Sequence, residues 1–248
     1  GHSFSHEYLI NKSESEIKED LEIIWEEVTQ PRNIKTDTSK PPRIAVLKSF
    51  FWDNASEEIR QMLDETIKKL QRAGAQITFI ELPETFAKSI VEHRAIMSYE
   101  AFKIHEYWIS RRPEDYPPRI TSLIKEGSIV KPEYYISCKN QQKYWKDYFE
   151  TNLKQYDCYM VPATTTEAPS NETTGDPAFN SPWSFTGLPA LSMPCQLSQS
   201  GLPLAIQLVA QSNSEPKLLQ LGKWCEKEIN YSYRCPDGLN KIIKVVNF

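Results

Sequence analysis

The sequence predicts an α/β protein with a mixed sheet flanked by helices. Residues 43–47 form an apolar run typical of a buried strand, residues 54–72 have the apolar spacing of a helix, and residues 76–82 form a second strand. Two strands joined through a helix are expected to be parallel, because a parallel pair needs a crossover of that length. Three further strands are predicted over residues 157–162, 190–194 and 204–209.

Apolar residues recur at helical spacing between the strands. In the helix after the first strand, five residues are expected to form the buried face: Ile59, Met62, Leu63, Ile67 and Leu70. In the helix predicted over residues 85–110, the buried face is expected to hold Ile90, Ile96, Ala101 and Ile104. Gly74 is expected to end the first of these helices, and Gly127 a short one over residues 120–126. Two more helices are predicted over residues 132–152 and 212–229.

The chain is predicted to divide into an N-terminal helix with a linker, residues 1–42, and an α/β region, residues 43–248. Residues 13–16 form a capping box ahead of a helical pattern, and residues 31–42 hold three prolines, which is typical of a linker. Inside the α/β region, residues 163–181 form a polar loop. Loops this long without regular structure are often functional.

Composition argues against several classes of function. A net charge of -4 argues against a dedicated nucleic-acid binder. No apolar run approaches the ~20 residues of a membrane span, and the first residues lack the pattern of a signal peptide. We therefore expect no membrane partner and a cytoplasmic location. The five cysteines form no C-x-x-C pair, and none of the eight glycines lies in a phosphate-binding or nucleophile-elbow motif. Reduced thiols, no metal and no cofactor are expected.

Two patterns that resemble catalytic or metal-binding motifs are better explained by structural roles. His93 and His105 lie 12 residues apart on one predicted helix, about 3.3 turns, so their rings are not adjacent and no shared site is expected. Ser15 and Lys18 have the S-x-x-K spacing that can place a lysine beside a serine nucleophile. Ser15 stands in an acidic first helical turn, however, and capping explains it better.

Three segments late in the chain carry an ordered set of motifs. Residues 175–183 read GDPAFNSPW, residues 186–194 read TGLPALSMP and residues 201–209 read GLPLAIQLV. With the strands and helices that precede them, these segments resemble the C-terminal part of the amidase-signature family over residues 43–229. The resemblance implies the α/β fold of that family. In a full enzyme it implies hydrolysis of a small-molecule carboxylic amide by serine acyl transfer.

The sequence departs from the family in its catalytic apparatus. The family's chemistry depends on a lysine, a bridging serine and a nucleophilic serine carried by a glycine- and serine-rich segment. No G-S-S-x-G-S-like segment occurs in these 248 residues. No residue can therefore be assigned a catalytic role, and the chain alone is expected to be inactive. Its implied partner is the missing N-terminal catalytic half, or a second copy of itself.

The resemblance also implies which residues wall the acyl pocket: Thr164, Phe179, Asn180, Trp183 and Thr186. The alternative is that these residues are structural, with the aromatic side chains packing and Asn180 holding a turn. Two other functions stay open. One is a non-catalytic binding or assembly protein that retains the amidase scaffold, which the absence of the nucleophile favours. The other is an unrelated α/β domain that binds a small molecule.

Overall fold

The structure, a computed structural model, describes residues 40–232 and contains a five-stranded mixed sheet. β1 is parallel to β2 and β3, whereas β5 is antiparallel to β3 and β4, giving the strand order β2-β1-β3-β5-β4. The predicted mixed sheet is thus confirmed. The strand bounds are β1 Arg43–Leu47, β2 Gln76–Ile80, β3 Cys158–Pro162, β4 Ala190–Leu197 and β5 Pro203–Val209.

Seven α-helices accompany the sheet within residues 40–232, and they cover both of its faces. Successive side chains of a strand point to opposite faces. Leu191 of β4 lies against Gly222 of the last helix, whereas Gln207, which pairs with the next residue of β4, bonds Asn180 on the other face. The helix bounds are α1 Phe50–Asp53, α2 Glu57–Arg72, α3 Lys88–Ile109, α4 Pro118–Ser128, α5 Pro132–Asn152, α6 Ser181–Thr186 and α7 Glu215–Ile229.

The first strand–helix–strand unit forms as its sequence predicts. The Ser56 hydroxyl caps α2 by accepting a hydrogen bond from the Ile59 N–H at 3.3 Å. Gly74 follows the helix with a φ of 100°, a conformation that costs glycine little. All five residues predicted for the buried face of α2 are buried. The unit therefore pairs β1 with β2 in parallel, with Arg43 opposite Gln76.

Two predictions about α3 and α4 are wrong. Ile104 is 69% exposed, because the C-terminal half of α3 presents this side chain to solvent rather than to the core. Gly127 lies inside α4 instead of ending it. A Cβ atom at Gly127 would lie 1.9 Å from the Ser98 carbonyl oxygen, so glycine is required there for the close contact of α4 with α3.

The region after β3 holds one element that the sequence did not predict. Residues 163–180 lack regular helix or strand, as expected, but α6 follows at once. This helix starts with a proline in its first turn and ends at Gly187, whose φ is 69°. The loop is tied to α2 by a hydrogen bond from the Ser56 N–H to the Thr165 carbonyl at 2.8 Å. The predicted tight turn between β4 and β5 is present, with Gly201 at a φ of 84°.

Several expectations concern the chain outside residues 40–232. The N-terminal helix, most of the linker and the Ser15–Lys18 spacing fall there, so the boundary at residue 42 stays a prediction. Within the described residues, no helix combines the length and the apolar character that crossing a bilayer requires.

Candidate functional site

A cluster of aromatic rings lies where α1, α5 and α6 meet above the sheet. Phe51 of α1 is completely buried and stands at its centre. The Phe51 ring lies parallel to the Trp183 ring with 5.7 Å between centroids, and 5.2 Å from the Phe179 ring. Phe86 and Phe149 extend the cluster toward α5. Aromatic contacts of this kind stabilise beyond their buried area, so the cluster fixes the loop before α6 against the core.

Phe179 and Trp183, two of the predicted pocket residues, therefore lie together in a packed environment. Phe179 is fully buried and Trp183 is 3% exposed. The indole Nε1 of Trp183 is buried without a hydrogen-bond partner among the described residues. A buried orphan donor is uncommon in folded proteins. Both side chains pack against Phe51, and their role in lining a pocket stays a prediction.

Asn180 is joined to the sheet by Gln207 of β5, which belongs to the GLPLAIQLV motif but was not among the predicted pocket residues. Gln207 is 7% exposed, and its Nε2 donates to the Asn180 Oδ1 at 3.0 Å. The Gln207 Oε1 is buried and has no partner among residues 40–232. The signal for Gln207 was present in the sequence, since it is the one amide inside the apolar strand LAIQLV.

The two threonines lie apart from this contact and use their hydroxyls locally. Thr164 is exposed just past the end of β3, and its Oγ1 donates to the Thr166 carbonyl at 2.7 Å. Thr186 is buried at the end of α6, and its Oγ1 donates to the Pro182 carbonyl at 2.8 Å. Asn180 directly precedes α6 and Thr186 is its last residue, so the two are about 9 Å apart along the helix axis. The grouping of the five residues in one pocket stays a prediction.

Thr186 does line a cavity. A cleft of about 400 Å³ separates α5 from the end of α6, and its walls include Thr186, Phe185 and three lysines of α5. The Gln142 Nε2 of α5 donates a hydrogen bond to the Phe185 carbonyl of α6 at 2.6 Å, which joins the two sides of the cleft. Two of the lysines, Lys139 and Lys143, have carboxylate partners in Glu100 and Asp147. The third lysine of this cleft is Lys146.

A second cleft lies outside the carboxyl ends of the parallel strands β1 and β2. Its volume is about 610 Å³, and α1 forms one side. The Lys48 ammonium lies over the rings of Trp52 and Phe79, at 5.1 and 4.6 Å from their centroids. Ser49 has a φ of 54°, and its hydroxyl bonds the Glu81 carboxylate. Ligands of α/β sheets often bind at such strand ends.

The titratable groups of residues 40–232 offer no activated nucleophile of the thiol type. Burial raises the pKa of Cys158 and Cys195, and it raises the pKa of Cys225 to about 12. Such thiols stay protonated and unreactive near neutral pH. Burial also lowers the pKa of His93, whose ring packs on Phe185, while the His105 Nδ1 lies 3.0 Å from the Tyr116 hydroxyl.

The described residues also hold no group of acidic, histidine or cysteine side chains that could bind a metal ion. The two histidines have separate neighbours, Phe185 for His93 and Tyr116 for His105.

Known proteins resemble this chain over most of its length. The family model described as Amidase matches residues 9–219. A glutamyl-tRNA(Gln) amidotransferase subunit from Alkaliphilus metalliredigens is 27% identical over 229 residues, a match that covers 78% of this chain and 46% of that protein. The mitochondrial counterpart of that protein from Mus musculus is 22% identical, over 76% and 42%. The chain thus spans about half the length of the curated relatives it matches.

Solved structures share the fold at low sequence identity. A structure described as an unexpected vestigial protein complex that reveals the evolutionary origins of an s-triazine catabolic enzyme has a TM-score of 0.67 and 22% identity, covering 78% of this chain and 44% of that one. A 6-aminohexanoate cyclic dimer hydrolase has a TM-score of 0.66 and 19% identity, over 86% and 50%. These likenesses show that the sheet and its helices adopt the same arrangement.

Proposed function

Because this chain belongs to the Amidase family of hydrolases, we propose that it forms the C-terminal part of an enzyme that cleaves carboxylic amides by serine acyl transfer. The observation that carries the proposal is the family match over residues 9–219. The matched region also covers only about half the length of each relative. The ordered motifs at residues 175–209 belong to the same match. The substrate proposed for the whole enzyme is a small-molecule amide.

The chemistry requires a catalytic segment of a kind that these 248 residues do not contain. In serine acyl transfer a base removes the proton of the nucleophilic hydroxyl, and backbone N–H groups hold the developing oxyanion. The family uses a lysine and a bridging serine for the first task and a glycine- and serine-rich segment for the second. Since no such segment occurs in these 248 residues, we infer that this chain is inactive alone and that a complementary segment supplies the nucleophile.

The contribution proposed for this chain is part of the wall of the acyl pocket. Phe179 and Trp183 hold the loop and α6 against Phe51, which would present a rigid apolar wall. Asn180, fixed by Gln207, would orient the start of α6. Thr186 lines the cleft beside α5, and Thr164 stands exposed past β3. The burial of Phe179 supports a positioning role for that residue more than direct contact with substrate.

Association with another chain is part of the proposal. One relative is named as a component of an amidotransferase, and one of the similar structures is described as a protein complex. Exposed apolar side chains on the helices and their ends, among them Ile129 at 81% and Trp108 at 56%, are of the kind that protein interfaces cover. The proposed partner is the catalytic half of the amidase, with self-association as the alternative. The proposed location is the cytoplasm, in keeping with cysteines that form no disulfide pattern.

The partner proposal is tested by reconstitution. The segment upstream in the coding sequence, or in a neighbouring gene, is searched for a lysine and a glycine- and serine-rich run, and that polypeptide is produced separately. Mixing it with the 248-residue chain should give a stable complex that hydrolyses a simple carboxylic amide, while each piece alone is inactive. A polypeptide that contains the catalytic residues but neither binds this chain nor gains activity from it contradicts the proposal.

The second candidate is a non-catalytic protein that keeps the amidase scaffold for binding or assembly. The absence of the glycine- and serine-rich segment from the sequence favours it. It predicts that no catalytic residues are encoded upstream or nearby. The same search therefore separates the two candidates, because a catalytic segment in frame supports the hydrolase and its absence supports the scaffold.

A further inference from the structure

A cleft of about 550 Å³ opens beside the amino ends of β1 and β3, away from the predicted pocket residues. Arg43 begins β1 and Asp157 directly precedes β3, and both line the cleft. β3 spans about 16 Å over its five residues, and Thr164 lies two residues past its opposite end. The cleft is thus separate from the residues proposed for the acyl pocket, and a ligand could bind in it whether or not the protein takes part in amide hydrolysis.

One face of α7 forms an apolar wall of this cleft. This face is formed by Lys217, Leu221 and Trp224, whose spacing of four and three residues places them on one side of the helix. The neighbouring face of α7 packs on the sheet through Leu218 and Cys225, which are buried. Across the cleft stand two consecutive prolines, at positions 41 and 42, that lead into β1. The cleft therefore combines an indole, a leucine and two rigid pyrrolidine rings.

The polar end of the cleft carries more positive than negative charge. The Asp157 carboxylate accepts hydrogen bonds from the Arg43 backbone N–H at 2.9 Å and from the Lys217 Nζ at 3.0 Å. The Arg43 Nε lies farther off, at 3.4 Å. Burial alone would raise the pKa of Asp157, but these hydrogen bonds outweigh it and hold the pKa below its usual value. One ionised carboxylate thus faces these two cations, and Lys40, which has contacts of its own, also lines the cleft.

Both cations keep donors for a ligand. A guanidinium has five N–H groups and an ammonium three, and Asp157 uses only part of each set. The side chains of Arg43 and Lys217 are 48% and 39% exposed, so their remaining N–H groups are accessible. A second carboxylate between them would balance the charge and accept charge-assisted hydrogen bonds, which are stronger than neutral ones.

We propose that this cleft binds a small aromatic carboxylate, with its ring against Trp224 and Leu221 and its carboxylate bridging Arg43 and Lys217. The volume suits such a molecule, since ligand pockets commonly span about 300–1,000 Å³ and combine apolar walls with a few placed polar groups. The uncharged amide of the same acid has the same shape but lacks the charge. The site therefore discriminates the acid from the amide.

The test is calorimetric titration of the 248-residue chain with 3-phenylpropionate and, separately, with 3-phenylpropionamide. The acid should bind saturably at one site and the amide should not. Lys217→Gln should weaken binding of the acid about tenfold, the usual effect of losing one charge-assisted hydrogen bond. Trp224→Leu should weaken it to a similar extent by removing the ring contact. The matched control is Lys227→Gln on the same helix, because Lys227 is 82% exposed outside the cleft and should leave binding unchanged.

Each other result overturns the site. Equal binding of acid and amide, or no saturable binding of the acid, contradicts carboxylate recognition. Equal affinity of Lys217→Gln and Lys227→Gln places any binding elsewhere. Thermal melts confirm that the variants fold. Asp157 keeps its bonds to Arg43 in Lys217→Gln, and Trp224→Leu gives an independent reading if that variant fails to fold.

Discussion

At the scale of single residues, the hydrogen bond between Asn180 and Gln207 is the polar contact that ties the start of α6 to the sheet. The two residues differ in environment, because Gln207 is buried and Asn180 is exposed. The Gln207 Nε2 has Asn180 as its partner, whereas its Oε1 is buried without one among the described residues. A buried polar atom that loses its partner costs more than the bond itself contributed.

Truncation of the exposed partner should therefore be the more harmful change. Asn180→Ala leaves the Gln207 Nε2 without its hydrogen-bond acceptor and should lower the free energy of unfolding by about 1–3 kcal/mol. Gln207→Met removes both buried amide atoms at similar volume and should be nearly neutral or stabilising. Urea denaturation followed by circular dichroism measures both, with Asn171→Ala in the exposed loop as the control. A larger loss for Gln207→Met would mean that its amide has a further partner.

The sequence indicates which residues belong to the candidate site, but it does not indicate how buried they are or what they contact. The motif resemblance selected Phe179, Asn180 and Trp183, and the structure brings them to one region around Phe51 and Gln207. Phe51 was not selected, and Gln207 was part of a motif without a predicted role, because both contacts join residues far apart in the chain. Burial of a side chain depends on which elements cover it, and the local spacing of apolar residues carries no information about those elements.

At the scale of secondary-structure elements, the contact of α3 with α4 depends on the absence of one side chain. A Cβ atom at Gly127 would lie 1.9 Å from the Ser98 carbonyl oxygen and 2.5 Å from its carbon. Both are backbone atoms of α3 and cannot move without displacing the helix. Gly222 of α7 offers a comparison, since its Cβ would meet a methyl group of Leu191 at 2.3 Å. A side-chain methyl can rotate away.

The same substitution in the two helices should therefore differ in cost. Gly127→Ala should destabilise the protein by about 1–3 kcal/mol or more, as overpacked sites do. Gly222→Ala should cost less, since Leu191 can change rotamer and alanine favours the helix over glycine by about 1 kcal/mol. Thermal and urea unfolding of both variants measure the difference. Equal losses would contradict the view that the backbone contact of α4 with α3 is the tighter one.

The elements with long, regular patterns were predicted best. The bounds of α2 and the strands it joins follow from apolar spacing, the Ser56 cap and Gly74. The short helix α6 escaped prediction because six residues are too few to show a period, although a proline and Gly187 mark its ends. Ile104 shows the converse limit, since a correct helical period does not reveal where the helix leaves the core.

At the scale of the whole molecule, this chain belongs to the Amidase family and has the mixed sheet of its solved neighbours. The family match, the mixed sheet and the motif order agree with one another. The strand order β2-β1-β3-β5-β4 could not be predicted from the sequence, because β3 pairs with β1 and β5, which are distant from it in the chain. The proposed function divides the amidase into a catalytic part and a pocket-forming part, of which this chain would be the second.

The most direct test of that division is labelling of the purified 248-residue chain with a fluorophosphonate probe, which modifies activated serines. A thermal melt of the same sample shows whether it is folded, and a serine hydrolase serves as the positive control. We predict a cooperative melt and no labelling. Stoichiometric modification of one serine in a folded sample would contradict the division and would identify that serine as the nucleophile.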